Sequence, residues 1–130
     1  MYTKLALIGG LVLFSMIGCG KVEGEFAFKY LLDSDYRRIR GIPEFNGSRE
    51  VRWIYLFNNI RGYHKIGVVI MKKELVWVDI DTRIDNINEA NDTIYGVIKD
   101  YKEGRHAILI TENGRIIDRK EFDIYSDEED

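Results

Sequence analysis

Two histidines, His64 and His106, are the general-base candidates of this chain, and neither stands in a pattern that catalysis would need. A serine nucleophile requires a histidine and an acid arranged around it. Ser34, Ser48 and Ser126 lie in no strand-turn-helix context that would present a hydroxyl in that way. His64 falls at a turn and His106 at a strand start, so both are expected as solvated or corner-packing residues, and no catalytic residue is assigned. Oxygen ligands concentrate in Asp79-x-Asp81-x-Arg83-x-Asp85, followed by Asn86, Asn88, Glu89, Asn91 and Asp92. Calcium prefers such ligands, but Arg83 occupies a ligand slot, no glycine makes the sharp turn and no bidentate glutamate closes the set. The stretch is therefore read as outward strand residues followed by turn residues, with no metal or cofactor assigned. One local basic cluster remains, Tyr36-Arg37-Arg38-Ile39-Arg40. Guanidinium groups interleaved with an aromatic suit an acidic protein partner or lipid headgroups. Tyr36, Arg37, Arg38 and Arg40 are the candidate contact residues, against the plainer alternative of arginines pairing with nearby acids.

The remaining chemistry-bearing residue is Cys19, the only cysteine. Lys4 precedes an apolar run over residues 5–18, and Met16-Ile17-Gly18-Cys19 closes it. A membrane-crossing helix needs about 20 apolar residues, more than this glycine-interrupted run provides. The pattern resembles the signal peptide of bacterial lipoproteins, with Met16 where leucine is usual. The resemblance implies cleavage before Cys19, a diacylglycerol on its sulfur and an acyl chain such as palmitate on its new amino group. Two or more chains hold a protein firmly to a bilayer, each buried methylene adding about 0.8 kcal/mol. The expected organisation is a signal peptide over 1–18, a tether over 19–24, a folded domain over 25–125 and an acidic tail over 126–130. Gly20 is not the aspartate that retains some lipoproteins in an inner membrane, which favours an outer one.

The leader holds one of the 19 basic residues and none of the 22 acids, so the remainder carries about −4. That balance argues against nucleic acid and against general attraction to anionic lipid. With a single thiol, the domain must be held by packing rather than by disulfides.

The elements that would position these residues read as strands. Phe26, Phe28, Tyr30 and Leu32 alternate with other residues, as do Val51, Trp53, Tyr55 and Phe57. Residues 65–71 form a β-branched run, 72–74 close a hairpin or a bulge into 75–81, and 94–99, 105–111 and 116–124 complete the set. Tyr36 to Glu50, broken by Gly41, Pro43 and Asn46-Gly47, reads as the longest loop. Residues 82–93 read as turn-rich, with room for a short helical turn. Asn113-Gly114 between two apolar runs predicts a tight hairpin, because both central residues must take positive φ. Trp53, Trp77, Tyr55, Phe57 and Val78 are expected in the core.

About seven strands with little helical periodicity give an all-β domain. Tyr101-Lys102-Glu103-Gly104-Arg105-His106, the strand to Thr111, Asn113-Gly114 and Phe122-Asp123-Ile124 together resemble the end of bacterial immunoglobulin-like domains. His106 stands where that family usually has tyrosine. The resemblance implies an antiparallel immunoglobulin-like sandwich; a small closed barrel remains the competing architecture. With the lipoprotein leader, the sandwich implies an envelope scaffold or adhesion module that binds an envelope or extracellular protein. The barrel would instead imply a carrier of a small ligand or lipid, or an enzyme inhibitor.

Overall fold

The computed structural model describes residues 22–126, and the stretch read as a signal peptide, Cys19 and the last four residues lie outside it. The described chain forms eight strands: β1 (Glu23–Tyr30), β2 (Glu44–Asn46), β3 (Val51–Asn58), β4 (His64–Lys73), β5 (Trp77–Ile87), β6 (Thr93–Ile98), β7 (Gly104–Glu112) and β8 (Arg115–Tyr125). They make a three-stranded sheet in the order β1-β3-β6 and a five-stranded sheet in the order β2-β8-β7-β4-β5. All pairings are antiparallel except β2 with β8. The two sheets keep open edges and do not close into one barrel, which removes the barrel expectation.

Alternation decides which side of each strand is buried. Val51, Trp53, Tyr55 and Phe57 on β3 turn into the core, as do Ile66, Val68 and Ile70 on β4 and Ile108 and Ile110 on β7. Phe26 and Phe28 of one sheet and Phe45 and Phe122 of the other join them in a single cluster. Phe45 links the layers, its ring centroid 5.3 Å from Phe28 and 6.0 Å from Phe122. Tyr55 is wholly buried, and its hydroxyl donates to Asp118 Oδ2 at 2.9 Å across the core. Burial, reinforced by the Asp118 carboxylate, raises the tyrosine's pKa far above its ordinary value.

The registers give the body two ends. Glu23 pairs with Asn58, and the connection over residues 59–63 leads directly into β4, so these lie at the end where the chain enters. Tyr30 reaches Asn46 N through its hydroxyl at 3.1 Å, Asn46 pairs with Tyr125, and Lys72 pairs with His106, so these mark the opposite end. β1 begins inside the stretch read as tether, with Glu23 and Gly24 already paired.

Three sequence expectations change. The stretch read as turn-rich over 82–93 continues β5 to Ile87, because Asp81 to Ile87 pair residue by residue with Ile70 to His64. Its polar composition reflects an edge strand exposed along most of its length, not a turn. Trp77 and Val78 lie outside the core: Trp77 is half-buried with Lys73 and Arg119 over its ring, at 5.5 and 4.7 Å, and Val78 is exposed. The longest loop contains β2 and is fastened at several points, as described below. The Asn113-Gly114 hairpin forms as expected, with φ of 53° and 79°.

Candidate functional site

The segment carrying Tyr36, Arg37, Arg38 and Arg40 is a strap. Phe28 N donates to Arg37 O at 2.9 Å, and Arg37 N donates to Phe28 O at 2.8 Å, so the segment covers the open edge of β1. Covering an edge in this way blocks further strand pairing there. Arg38 pairs with Glu25 at 2.9 Å, and the Lys29 ammonium sits 5.2 Å from the Tyr36 ring centre. The strap then crosses to the other sheet. Lys120 Nζ donates to Ile39 O at 2.6 Å and Gly41 O at 2.7 Å, and Asp123 N donates to Pro43 O at 2.9 Å before β2 begins. Burial lowers the Lys120 pKa, yet the two carbonyls satisfy its ammonium. Arg37, Arg38 and Arg40 all remain exposed along this strap, and Arg37 and Arg40 make no ion pair among the described residues. Lys120→Met is expected to release the strap at a cost of about 2 kcal/mol, the scale of hydrogen bonds from a charged donor. Limited proteolysis checks this: cleavage after Arg37, Arg38 or Arg40 should rise well before global unfolding, and an unchanged digestion pattern would contradict the fastening role.

The two histidines lie at opposite ends of the body and serve as fasteners. His64 Nδ1 meets Glu112 Oε2 at 2.7 Å, and Nε2 meets Arg61 O at 2.9 Å. Both partners only accept hydrogen bonds, so the two contacts are made together when the ring is protonated on both nitrogens. The Glu112 hydrogen bond accordingly raises its pKa, outweighing burial. His64 thus joins β4, β7 and the 59–63 connection by an ion pair, where a solvated side chain was expected.

His106 is fully buried near the start of β7, just after the corner at Tyr101. Its Nδ1 donates to Gly104 O at 3.0 Å, while Nε2 has no partner. The ring lies nearly parallel to Phe122 and Tyr101, at 5.2 and 5.3 Å between centroids. The Nδ1 bond ties the ring to the backbone two residues upstream.

The oxygen-rich stretch does not gather into a ligand set. Asp79, Asp81 and Asp85 are strung along β5, Asp85 is paired with Arg83 at 3.1 Å, and no group of three or more His, Cys, Asp or Glu converges among the described residues. Ser48 spends its hydroxyl on Asn46 Oδ1 at 2.8 Å within a turn.

What sequence inspection missed is the end of the body away from Glu23. Leu32 is 90% exposed on the β1 turn and Leu75 99% exposed on the β4–β5 turn, with Val76 beside it. Between the corner at Tyr101 and the ends of β2 and β8 opens a cleft of about 340 Å³, lined by Asn46, Ser48, Tyr101, Glu103 and Tyr125 among others. The sequence signal was available: a leucine at the tip of each of two turns, where polar residues are usual.

Compared with known protein families and with curated proteins, the chain matches none.

Proposed function

We propose that this protein is an envelope lipoprotein, anchored through Cys19, that presents an immunoglobulin-like sandwich to bind another envelope or extracellular protein without catalysis. The sheet orders β1-β3-β6 and β2-β8-β7-β4-β5, with a short β2 crossing from the first sheet to lie parallel to the last strand, support that sandwich. The observation that carries the binding role is the set of solvated apolar side chains, Leu32, Leu75 and Val76, at the end opposite the chain's entry. Singly exposed apolar residues are ordinary, but two turns at the same end that both carry them offer a surface to a partner. A tether at Cys19 leaves at most a few residues before β1, which directs that end away from the membrane. The exposed guanidinium groups of Arg37 and Arg40 flank the body and suit acidic groups on a partner.

Cys19→Ala is expected to shift the protein from the membrane fraction to the soluble one. Cross-linking capture from intact cells should then lose the dominant envelope partner that the native chain recovers, and Leu32→Ser with Leu75→Ser should lose it while remaining membrane-bound. Equal membrane retention of Cys19→Ala sinks the anchor; equal recovery by the leucine variant sinks the contact surface.

A further inference from the structure

The outer edge of β5 carries the further step. β5 is 11 residues long, β4 pairs with one side of it, and no strand among the described residues pairs with the other. Edge strands invite pairing with another chain unless charge, a bulge or a cover prevents it. β1 has its strap; among the described residues β5 has none, and its guards are the charges of Asp79, Asp81, Arg83 and Asp85 and one bulge. A bulge between Asp79 and Asp81 is its one irregularity, and Ile80 and Ile84 stand 45% and 67% exposed.

We propose that β5 is a homophilic contact strand, on which a second copy of this chain pairs antiparallel about Thr82. The pairing uses a surface separate from the apolar end at Leu32 and Leu75 and goes beyond the binding role argued from that end. Two-fold symmetry limits the registers, because the opposing residues of a symmetric antiparallel pair must lie on the same face of the joined sheet. Centring on Asp81 sets two aspartates against each other. Centring on Arg83 opposes two arginines and sets Asp81 against Asp85. Centring on Ile84 sets Arg83 against Asp85, which already hold each other within one chain, and leaves Asp81 opposite buried Ile87. Centring on Thr82 sets Asp81 against Arg83 of the second copy and Ile80 against Ile84, and repeats both pairs by symmetry as far as the bulge.

The local structure is prepared for this register. Asp81 makes no ion pair among the described residues. Arg83 holds Asp85 and the Tyr95 carbonyl, and a guanidinium has five donors, so a further acceptor can be served. The bulge also removes the one conflict. Asp85 lies opposite buried Ile66 and Asp79 opposite Met71, so the two aspartates that would oppose each other in this register point to different faces. Antiparallel pairing places the two N-terminal ends at opposite ends of the dimer. On the anchor reading, the contact would therefore join copies held on facing membranes.

Sedimentation velocity of the full chain in detergent, together with thiol oxidation, tests the pairing. The native chain should show a concentration-dependent dimer. Asp81→Arg, which opposes like charges, should weaken it about tenfold or more; Ile84→Lys should act in the same direction, and Asp81→Arg with Arg83→Asp should restore it. Thr82→Cys should give a disulfide-linked dimer beyond any formed through Cys19 in the native chain, and Ile84→Cys should not. Circular dichroism melts confirm that each variant is folded. A monomer at all concentrations, indifference to Asp81→Arg, or cross-linking through Ile84→Cys in place of Thr82→Cys overturns the proposal. A monomer that still captures a different envelope protein overturns this pairing and leaves the protein-binding role standing.

Discussion

Trp53→Ala is expected to lower the unfolding free energy by about 3–5 kcal/mol, the usual cost of emptying a large aromatic site in a close-packed core. Trp53 lies on β3, the middle strand of the three-stranded sheet, and is 1% exposed. Phe26 packs against its ring at 6.0 Å. Gly96, its partner on β6, sits directly beneath: a methyl group there would lie 2.1 Å from the ring. The tryptophan therefore fills a space that only glycine leaves open. Gly96→Ala alone should cost about 1–3 kcal/mol through overpacking. In the Trp53→Ala background the same change should cost little, because the obstructing ring is gone. Urea denaturation of the native chain, the two single variants and the double variant measures the coupling, provided that m is unchanged. Additive losses would show that the two sites do not share one space. Trp77→Ala is the internal comparison. Trp77 stands half-buried on the outside of the five-stranded sheet under Lys73 and Arg119, so about 1 kcal/mol is expected there.

Those two tryptophans show how far pattern alone reaches. Both sit among alternating apolar residues, and alternation correctly makes each a strand residue. It does not say which sheet is covered on both faces and which edge overhangs solvent. Trp53 has sheets around it; Trp77 opens a strand that has a neighbour on one side only. The same blindness affects residues 82–87, whose Thr, Asp, Arg and Asn resemble turn chemistry because an edge strand solvated on its surfaces needs no apolar alternation. Pairing with β4 makes it a strand, and that information lies 13 to 23 residues upstream. Asn113-Gly114 was legible because its requirement, positive φ at both positions, is local. The strap was not, since its fastening depends on Lys120, distant in sequence from Ile39 and Gly41. Cys19 lies outside the described residues, so its role remains a proposal from the leader's pattern.

Stability should fall as pH drops below about 6.5, and His106 is the residue expected to be responsible. Burial holds its pKa below the ordinary value, against a smaller upward pull from the Gly104 carbonyl; Lys72 pushes it further down, while Asp123 and Glu74 oppose that. The geometry explains the direction. Nδ1 already donates to Gly104, so the proton must be taken by Nε2, which is buried without a partner beside the Tyr101 and Phe122 rings. An unfolded histidine binds its proton at the ordinary value, whereas the folded one resists until lower pH. Between those limits the unfolded state holds more protons, so stability rises with pH there and is lost as pH falls through the folded value. His64 has the opposite sign. Its raised pKa gives a contribution that is complete below about 6.5 and disappears as pH rises through the folded value. Together the two residues predict a stability profile that declines on both sides. Urea midpoints measured from about pH 5 to about pH 8 resolve them, since this window lies above most carboxylate titrations. His106→Phe keeps a stacked ring, loses the bond to Gly104 O at a cost of about 1 kcal/mol, and should flatten the acid limb alone. His64→Gln should flatten the alkaline limb alone. If the His106→Phe profile runs parallel to the native one between about pH 5 and about pH 6.5, protonation at this corner is not what weakens the fold.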